Sequence, residues 1–289
     1  MKKRKFRQLT AVMGEGVLSP GAPVVGADDL GLTRGDGCFD ATRVHTHDDG
    51  VSDVDNLEAH LARLNRSIVG LGAQPDDLDA WHELVDEAVA SWASPGEATL
   101  KIMWTRGLES VSSDPVRMLT ITPMTEVALA QRHGIKVTTL TRGMPSDAFA
   151  DAPWLLGGVK SLSYAVNKAA LREAKARGVD DVLFTSTDGY CLEGPTSALL
   201  VLRDGVLYTT PRGATGVLDS ITADIIFDRA RNNGWQCEDK LMTPKWVSKA
   251  DSAWLVSSVR GAAPILELDG KQLGLVNQVH KKIVRWAGF

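Results

Sequence analysis

Gly157-Gly-Val-Lys-Ser-Leu-Ser-Tyr164 and, thirty-three residues on from its lysine, Glu193 in Asp188-Gly-Tyr-Cys-Leu-Glu-Gly-Pro-Thr-Ser197 are the two stretches that decide how this chain reads. Lys160 follows two glycines, lies beside Val159 and Leu162, and stands just ahead of a helical pattern. A lysine in that setting points inward at a strand end, and one that loses hydration becomes a usable amine nucleophile. In the second stretch, Asp188-Gly189 is a turn between two apolar runs, and Glu193 sits between Leu192 and Gly194. A carboxylate drawn into such a place calls for a cationic partner, and a protonated ring nitrogen is one. A third stretch, Gly216-Val-Leu-Asp-Ser-Ile-Thr222, runs from a short loop into a helix. Asp219 or Ser220 supplies its N-cap, and the N–H groups of Ile221 and Thr222 at that helix start are suited to an anion.

Working outward, the first half predicts strands followed by two amphipathic helices. A strand fits Phe39 to His45, and Leu57, Leu61, Leu64, Ile68 and Leu71 then recur at helical spacing, with Asp53 or Asp55 as caps and Gly72 beyond. Asp77 to Trp92 predicts a second helix, Ala98 to Trp104 an alternating strand, and Val116 to Thr122 another that ends at Pro123. The run from Pro123 to Gly134 carries the expected linker, residues 125–134. It separates a smaller α/β N-terminal domain, 1–124, from a larger C-terminal domain, 135–289. In the second half, strands are expected at Ile135 to Thr141, Asp181 to Thr185, Ser197 to Arg203, Val206 to Thr210 and Ala253 to Ser257. Helices are expected at Ser163 to Arg177, Ile221 to Asn233 and near Val276 to Trp286. The fold class is α+β in two domains, with no internal repeat.

Bulk composition narrows the function classes. The chain has 289 residues, 44% hydrophobic and 24% charged, with a net charge of −4, so neither nucleic acid nor an anionic membrane is expected as a partner. The basic start, Met1 to Phe6, is not followed by an apolar stretch, because Arg7, Gln8, Gly14 and Glu15 interrupt; a secretory signal is not expected. Cys38, Cys191 and Cys237 have no metal or redox spacing, which fits a reduced, cytoplasmic protein. His45 and His47 lack a third ligand and read as surface residues, so no metal is expected. Trp235 and Trp254 read as core, and Arg142 as a surface residue or a substrate contact.

Together, in this order and spacing, the three stretches resemble the class IV, fold-type IV pyridoxal-phosphate (PLP) enzymes. That family includes branched-chain aminotransferases, D-amino-acid aminotransferases and aminodeoxychorismate lyases. The resemblance runs from about Gly35 to about Asp269. Gly35-Asp-Gly-Cys-Phe39 looks like its Gly-Asp-Gly-(small)-Phe segment, and Glu58-Ala-His-Leu-Ala-Arg-Leu64 like its His-Leu-x-Arg-Leu helix. It implies a two-domain, D-amino-acid-aminotransferase-like fold, a homodimer, a small amino substrate, and Lys160 carrying PLP as a Schiff base. Glu193 matches the acid at the pyridine nitrogen, and Leu218 an apolar residue under the ring. Arg63, Ile221 and Thr222 match the phosphate site, where a guanidinium fork suits phosphate. Tyr164 resembles a tyrosine near the cofactor's phenolic oxygen.

The departures concern the substrate. Val259 stands where a phosphate-binding Thr is usual, which leaves Ser257 or Ser258 for that hydrogen bond. Val111 replaces an arginine that D-amino-acid enzymes use, Ala198 an Asn, and Asp40 the usual Glu or Thr. Arg106 and Arg260 are the expected substrate-carboxylate partners; the alternative for Arg260 is that it points to solvent or pairs with a surface acid. The resemblance favours a 4-amino-4-deoxychorismate lyase making 4-aminobenzoate and pyruvate for folate biosynthesis. The alternative is an aminotransferase for branched-chain or D-amino acids, and a third reading is a non-catalytic binding protein.

Overall fold

The computed structural model describes residues 8–111 and 114–289; the basic start from Met1 to Phe6 lies outside them. The chain divides into two compact units. One holds the chain up to Thr125 together with Val159–Ser163, and the other holds Glu126–Gly158 and Tyr164–Phe289.

The first unit is one sheet covered by two helices. Its elements run β1 (Leu9–Val12), β2 (Gly16–Val17), α1 (Leu30–Arg34), β3 (Gly37–Thr46), β4 (Ser52–Val54), α2 (Leu57–Gly70), α3 (Leu78–Ser91), β5 (Gly96–Thr105) and β6 (Val116–Pro123). The strand order is β2-β1-β6-β5-β3-β4, with every neighbouring pair antiparallel. Along β3 the buried residues are Cys38, Asp40, Thr42, Val44 and Thr46, the period of two that puts one face on a core. Leu61, Leu64 and Ile68 of α2 and Trp81, Val85 and Ala88 of α3 close that face over Val44, Leu100, Ile102, Leu119 and Ile121. Both helices start and end within about a residue of where leucine spacing places them. The α2 cap differs: Asn56, in a left-handed conformation, precedes the helix, and Asp53 belongs to β4.

The second unit contains α4 (Glu126–Ala130), β7 (Ile135–Thr141), α5 (Ala165–Ala176), β8 (Asp181–Thr185), β9 (Glu193–Gly194), β10 (Ser197–Arg203), β11 (Val206–Thr209), α6 (Ile221–Asn232), β12 (Gln236–Asp239), α7 (Pro244–Val247), β13 (Ser252–Ser257), β14 (Gly261–Leu268), β15 (Lys271–Gln272) and α8 (Asn277–Trp286). Its sheet runs β12-β11-β10-β13-β14-β7-β8, with β9 beside β10 and β15 beside β14. Central strand β10, Ser-Ala-Leu-Leu-Val-Leu-Arg, is apolar on both faces because both are covered. Leu199 and Val201 join Ile135, Val137, Leu255 and Ile265 on one side. Leu200 and Leu202 meet Trp254, α6 and α8 on the other, with Trp235 at the margin.

Several short elements were not expected from the sequence, and two stretches differ most from its reading. Residues 126–133, within the expected linker, form α4 and a short 3-10 turn, Gln131–His133, and β14 was not foreseen. Pro264 inside Gly261–Leu268 argues against a strand by propensity; in the sheet it lies opposite Trp254 of β13, in a strand buried along most of its length. Among the described residues no helix is long and apolar enough to cross a membrane, and no cluster of His, Cys, Asp and Glu is arranged for a metal.

Candidate active site

In the first unit, Lys160 is placed by the edge of β3. Strand β4 pairs with this edge only from Val44 to Thr46, so the Gly37–Phe39 end is left for another segment. Residues 159–163 take it: the Phe39 N–H donates to the Lys160 carbonyl at 2.9 Å and the Leu162 N–H to the Gly37 carbonyl at 2.8 Å, around a Cys38–Ser161 bridge. Gly37 is needed for this approach, since a Cβ there would lie 2.5 Å from the Trp104 carbonyl and 2.7 Å from Leu162. The Lys160 N–H donates to Ser67 Oγ of α2 at 3.2 Å, and its Nζ lies 4.7 Å from the centre of the Phe39 ring. The lysine backbone is thus held on two sides while the amine rests against an aromatic face.

Below that strand end sits a buried charged cluster. Asp40 accepts from Arg63 Nε and Nη2, both at 2.7 Å, and pairs with His60 Nδ1 at 2.8 Å. Burial alone would raise the Asp40 carboxyl, but the hydrogen bonds and charges of Arg63 and His60 outweigh it and hold the group well below the usual carboxylate range. Arg63, expected at a phosphate, therefore has one edge of its fork on Asp40. Arg106, expected at a substrate, donates to both Asp36 oxygens at 2.6 and 3.3 Å and to the Leu71 carbonyl at 2.5 Å.

In the second unit, the Leu218 N–H donates to Glu193 Oε2 at 3.1 Å. Glu193 begins short strand β9, where it lies opposite Ala198 of β10, and Leu218 lies in the loop that leads into α6. Ser220 is the N-cap of α6: its Oγ accepts the Ala223 N–H at 3.2 Å and its carbonyl the Asp224 N–H at 3.0 Å. Asp219, the other cap candidate, pairs instead with Arg212 at 3.6 Å. Beside the helix start, Thr222 Oγ1 and Ser258 Oγ are 3.0 Å apart. A helix N-terminus with its Ile221 and Thr222 N–H groups and two adjoining hydroxyls has the donor set an anion needs. Tyr164 immediately precedes α5, where its carbonyl accepts the Lys168 N–H at 3.0 Å.

The loop before Lys160 is itself anchored within this unit. The Phe149 N–H donates to the Ala214 carbonyl at 3.0 Å and the Gly158 N–H to the Gly216 carbonyl at 3.1 Å. Gly216 has a φ of +69°, and a Cβ there would strike the Phe149 ring. Asp188 of the expected turn accepts the N–H and hydroxyl of Ser146 at 2.8 and 2.7 Å, and those bonds bring its carboxyl down to about 2.

Arg260, expected at a substrate carboxylate, has protein partners within its own unit. Its Nη1 donates to Asp181 at 2.7 Å and to Gln131 at 3.0 Å, and its Nη2 approaches Ser197 Oγ at 3.5 Å. The side chains of Arg260 and Asp181 are 10% and 1% exposed. A guanidinium so buried needs a carboxylate, and Asp181 of β8 supplies one within the same unit. Removing one partner of such a pair leaves the other charge buried. Arg260→Met is accordingly expected to destabilise the protein by about 3–5 kcal/mol in a denaturation experiment, whereas a purely substrate-binding arginine would leave stability unchanged.

Cys38, bridged to Ser161, and Cys191, inside the second stretch, are poorly suited to be thiolates, because burial pushes both thiols up to about 12. Sequence reasoning missed Phe39, His60 and Ser67. The signal was present: His60, Arg63 and Ser67 are polar residues at helical spacing among Leu57, Leu61, Leu64 and Ile68. Polar side chains aligned beside an apolar stripe need polar partners.

Comparison with known proteins is consistent across sequence and structure. A family model described as amino-transferase class IV matches residues 37–268. A bifunctional aminodeoxychorismate lyase / D-amino acid transaminase of Mycobacterium tuberculosis is 36% identical over 266 residues, 89% of this chain and 90% of that protein. A fold IV-transaminase, CpuTA1, from Curtobacterium pusillum superposes with a TM-score of 0.89 at 37% identity, covering 97% of this chain and 99% of that one. The PLP-bound form of a hypothetical aminotransferase from Mycobacterium tuberculosis gives a TM-score of 0.89 at 34% identity, covering 97% and 98%.

Proposed function

The chain belongs to the class IV aminotransferase family and is a PLP-dependent enzyme, and from that premise we propose that it is a 4-amino-4-deoxychorismate lyase with Lys160 and Glu193 as its catalytic residues. The observation that carries the site assignment is the pairing of the Glu193 carboxylate with the Leu218 N–H, one loop away from the Thr222–Ser258 hydroxyl pair at the start of α6.

The residues present fit the cofactor by their chemistry. Glu193 has an acceptor oxygen fixed by a backbone N–H and suits a protonated ring nitrogen. Ile221, Thr222 and Ser258 offer N–H and O–H donors and suit a phosphate, with the Arg63 guanidinium as its cation. Leu218 would pack under the ring and Tyr164 would serve its phenolic oxygen. When bound, PLP supplies a carbonyl that condenses with amines and an electron sink for the carbon next to the nitrogen. Lys160 Nζ would hold the cofactor and, in turnover, would take the proton from the substrate carbon that bears the amine. Glu193, as a carboxylate, keeps the proton on the ring nitrogen. In the lyase the substrate then loses enolpyruvate, which becomes pyruvate, and its own ring becomes aromatic. In a transaminase Lys160 would instead carry that proton onward so that the amino group is exchanged and a keto acid is released.

The lyase reading is supported by the name of the Mycobacterium tuberculosis relative and by Val111 in place of an arginine. That relative's double name also supports the second reading, a D-amino-acid or branched-chain transaminase. On the same likeness we read the protein as a cytoplasmic homodimer that supplies 4-aminobenzoate for folate synthesis. Incubation with aminodeoxychorismate in parallel with a panel of D- and L-amino acids tests the reaction. Formation of 4-aminobenzoate supports the lyase, while keto-acid formation from the panel with no 4-aminobenzoate rejects it in favour of the transaminase. A non-catalytic binding protein would give neither, and would lack a cofactor attachment that borohydride reduces.

For the phosphate, Arg63→Ala is expected to weaken PLP binding by about 1.5–3 kcal/mol, the contribution of a charge-assisted hydrogen bond. Unchanged affinity on reconstitution of the apoenzyme would remove Arg63 from the assignment without touching Lys160.

A further inference from the structure

We propose that Asp40, oriented by His60, is the positioning residue that aims the Arg63 guanidinium, and that it sets how strongly the enzyme prefers a phosphorylated cofactor. The inference rests on the reading that Arg63 serves the cofactor phosphate.

Three observations lead to it. Asp40 holds the Nε–Nη2 edge of Arg63 through two hydrogen bonds of 2.7 Å, one to each carboxylate oxygen. Gripped along one edge, the guanidinium plane has a fixed orientation, and its Nη1–Nη2 end is directed by the carboxylate rather than by the flexible arginine stem. The second observation is the depth of the cluster: the side chains of Asp40 and His60 are 0% exposed and that of Arg63 is 6% exposed. Packing at that depth holds the rotamers as firmly as the rest of the core.

The third concerns His60. Its Nδ1 bonds to Asp40 Oδ1 at 2.8 Å, while its Nε2 is buried without a hydrogen-bond partner among the described residues. A buried nitrogen left without a partner is a cost to folding. An apolar side chain would fill the same place in the core without that cost, so the histidine's distinctive contribution here is its contact with Asp40. His60 and Arg63 are three residues apart on one face of α2, and each reaches the same carboxylate on β3. The arrangement is a relay in which His60 fixes the Asp40 carboxylate and Asp40 fixes Arg63.

A merely structural ion pair and a positioning pair differ in one measurable respect. Pyridoxal lacks the phosphate of PLP, so the ratio of the two dissociation constants reports the phosphate contact alone, and losses of general stability fall on both ligands. The test titrates the full-length apoenzyme with PLP and with pyridoxal in wild type, D40E, H60Q, R63K and D40E/R63K, and records the melting temperature of each. D40E keeps the charge but moves it by one methylene. H60Q keeps the Asp40–Arg63 pair and changes only what orients it, so it remains informative should D40E not fold.

The expected result is a preference for PLP over pyridoxal reduced roughly tenfold or more in D40E and H60Q, equivalent to one charge-assisted hydrogen bond. Pyridoxal affinity should stay within about twofold in both, since it never uses that bond. In the R63K background D40E should add no further loss of preference, because Asp40 acts through Arg63. Lower melting temperatures with the preference intact would overturn the proposal and leave a structural cluster. If R63K itself left the preference unchanged, the phosphate assignment of Arg63 would fall and this inference with it. If R63K lowered the preference and neither D40E nor H60Q did, only this inference would fall.

Discussion

Lys160→Ala is expected to yield a folded protein with no covalently attached cofactor and no measurable turnover. The expectation of folding comes from how the segment is held. The Lys160 carbonyl and the Leu162 N–H pair with the edge of β3, and the Lys160 N–H donates to Ser67, so none of these bonds involves the side chain that is removed. The substitution does remove the approach of Nζ to the Phe39 ring, a cation–π interaction worth about 0.5–1 kcal/mol at a partly exposed site. The chemical effect is much larger. In the proposed function the same amine is both the attachment point and the group that moves the substrate proton, and a general base by itself accounts for about 10²–10⁴ in rate. Borohydride reduction followed by peptide mapping, together with turnover, is the measurement. Should the purified variant still carry a reducible attachment at another lysine, Lys160 is not the site.

Glu193→Gln is expected to bind PLP nearly as well as the wild type and to lose turnover by about two orders of magnitude or more. Gln has nearly the same shape, and its Oε1 can still accept the Leu218 N–H, so the loop leading to α6 keeps its anchor. What changes is charge. A neutral amide cannot hold a proton on a ring nitrogen as a carboxylate does, and one pKa unit of differential interaction is about 1.36 kcal/mol. Several such units separate a paired carboxylate from an amide, hence the size of the effect. Steady-state kinetics and cofactor titration on the same preparation separate the two quantities. Rates near those of the wild type would mean that Glu193 does not tune the ring; a large drop in cofactor affinity would mean that it mainly holds the loop.

Some features were legible in the sequence because they are local. The leucine spacing of α2 and α3, the alternation along β5 and the run that forms β7 each record a period set within a few residues. The start of α6 is similar. Capping lies within one helical turn, so Ser220, with Asp219 the other candidate, could be named from the stretch Gly216 to Thr222 alone. The strand β14 escaped because Pro264 opposes strand propensity, and its compensation comes from the pairing with β13.

Polar partners distant in the chain behaved differently. Arg63 and Asp40 are 23 residues apart, Lys160 and Ser67 are 93 apart, and Arg260 and Asp181 are 79 apart. No periodicity carries information over those separations. From the sequence, Arg63 and Arg260 were both cations near expected anions, and a fork that suits phosphate or a substrate carboxylate suits an aspartate equally well. Burial settles which acid each one meets, because a guanidinium removed from water must pair with whatever carboxylate the fold brings beside it. The sequence by itself determined the main helices and many of the strands, the stretches around Lys160 and Glu193 that carry the family resemblance, and the helix start suited to an anion. The edge pairing that seats Lys160, the Asp40–His60–Arg63 cluster and the pairing of Arg260 with Asp181 were decided only by tertiary structure, since each depends on packing between strands and helices that are distant in the chain.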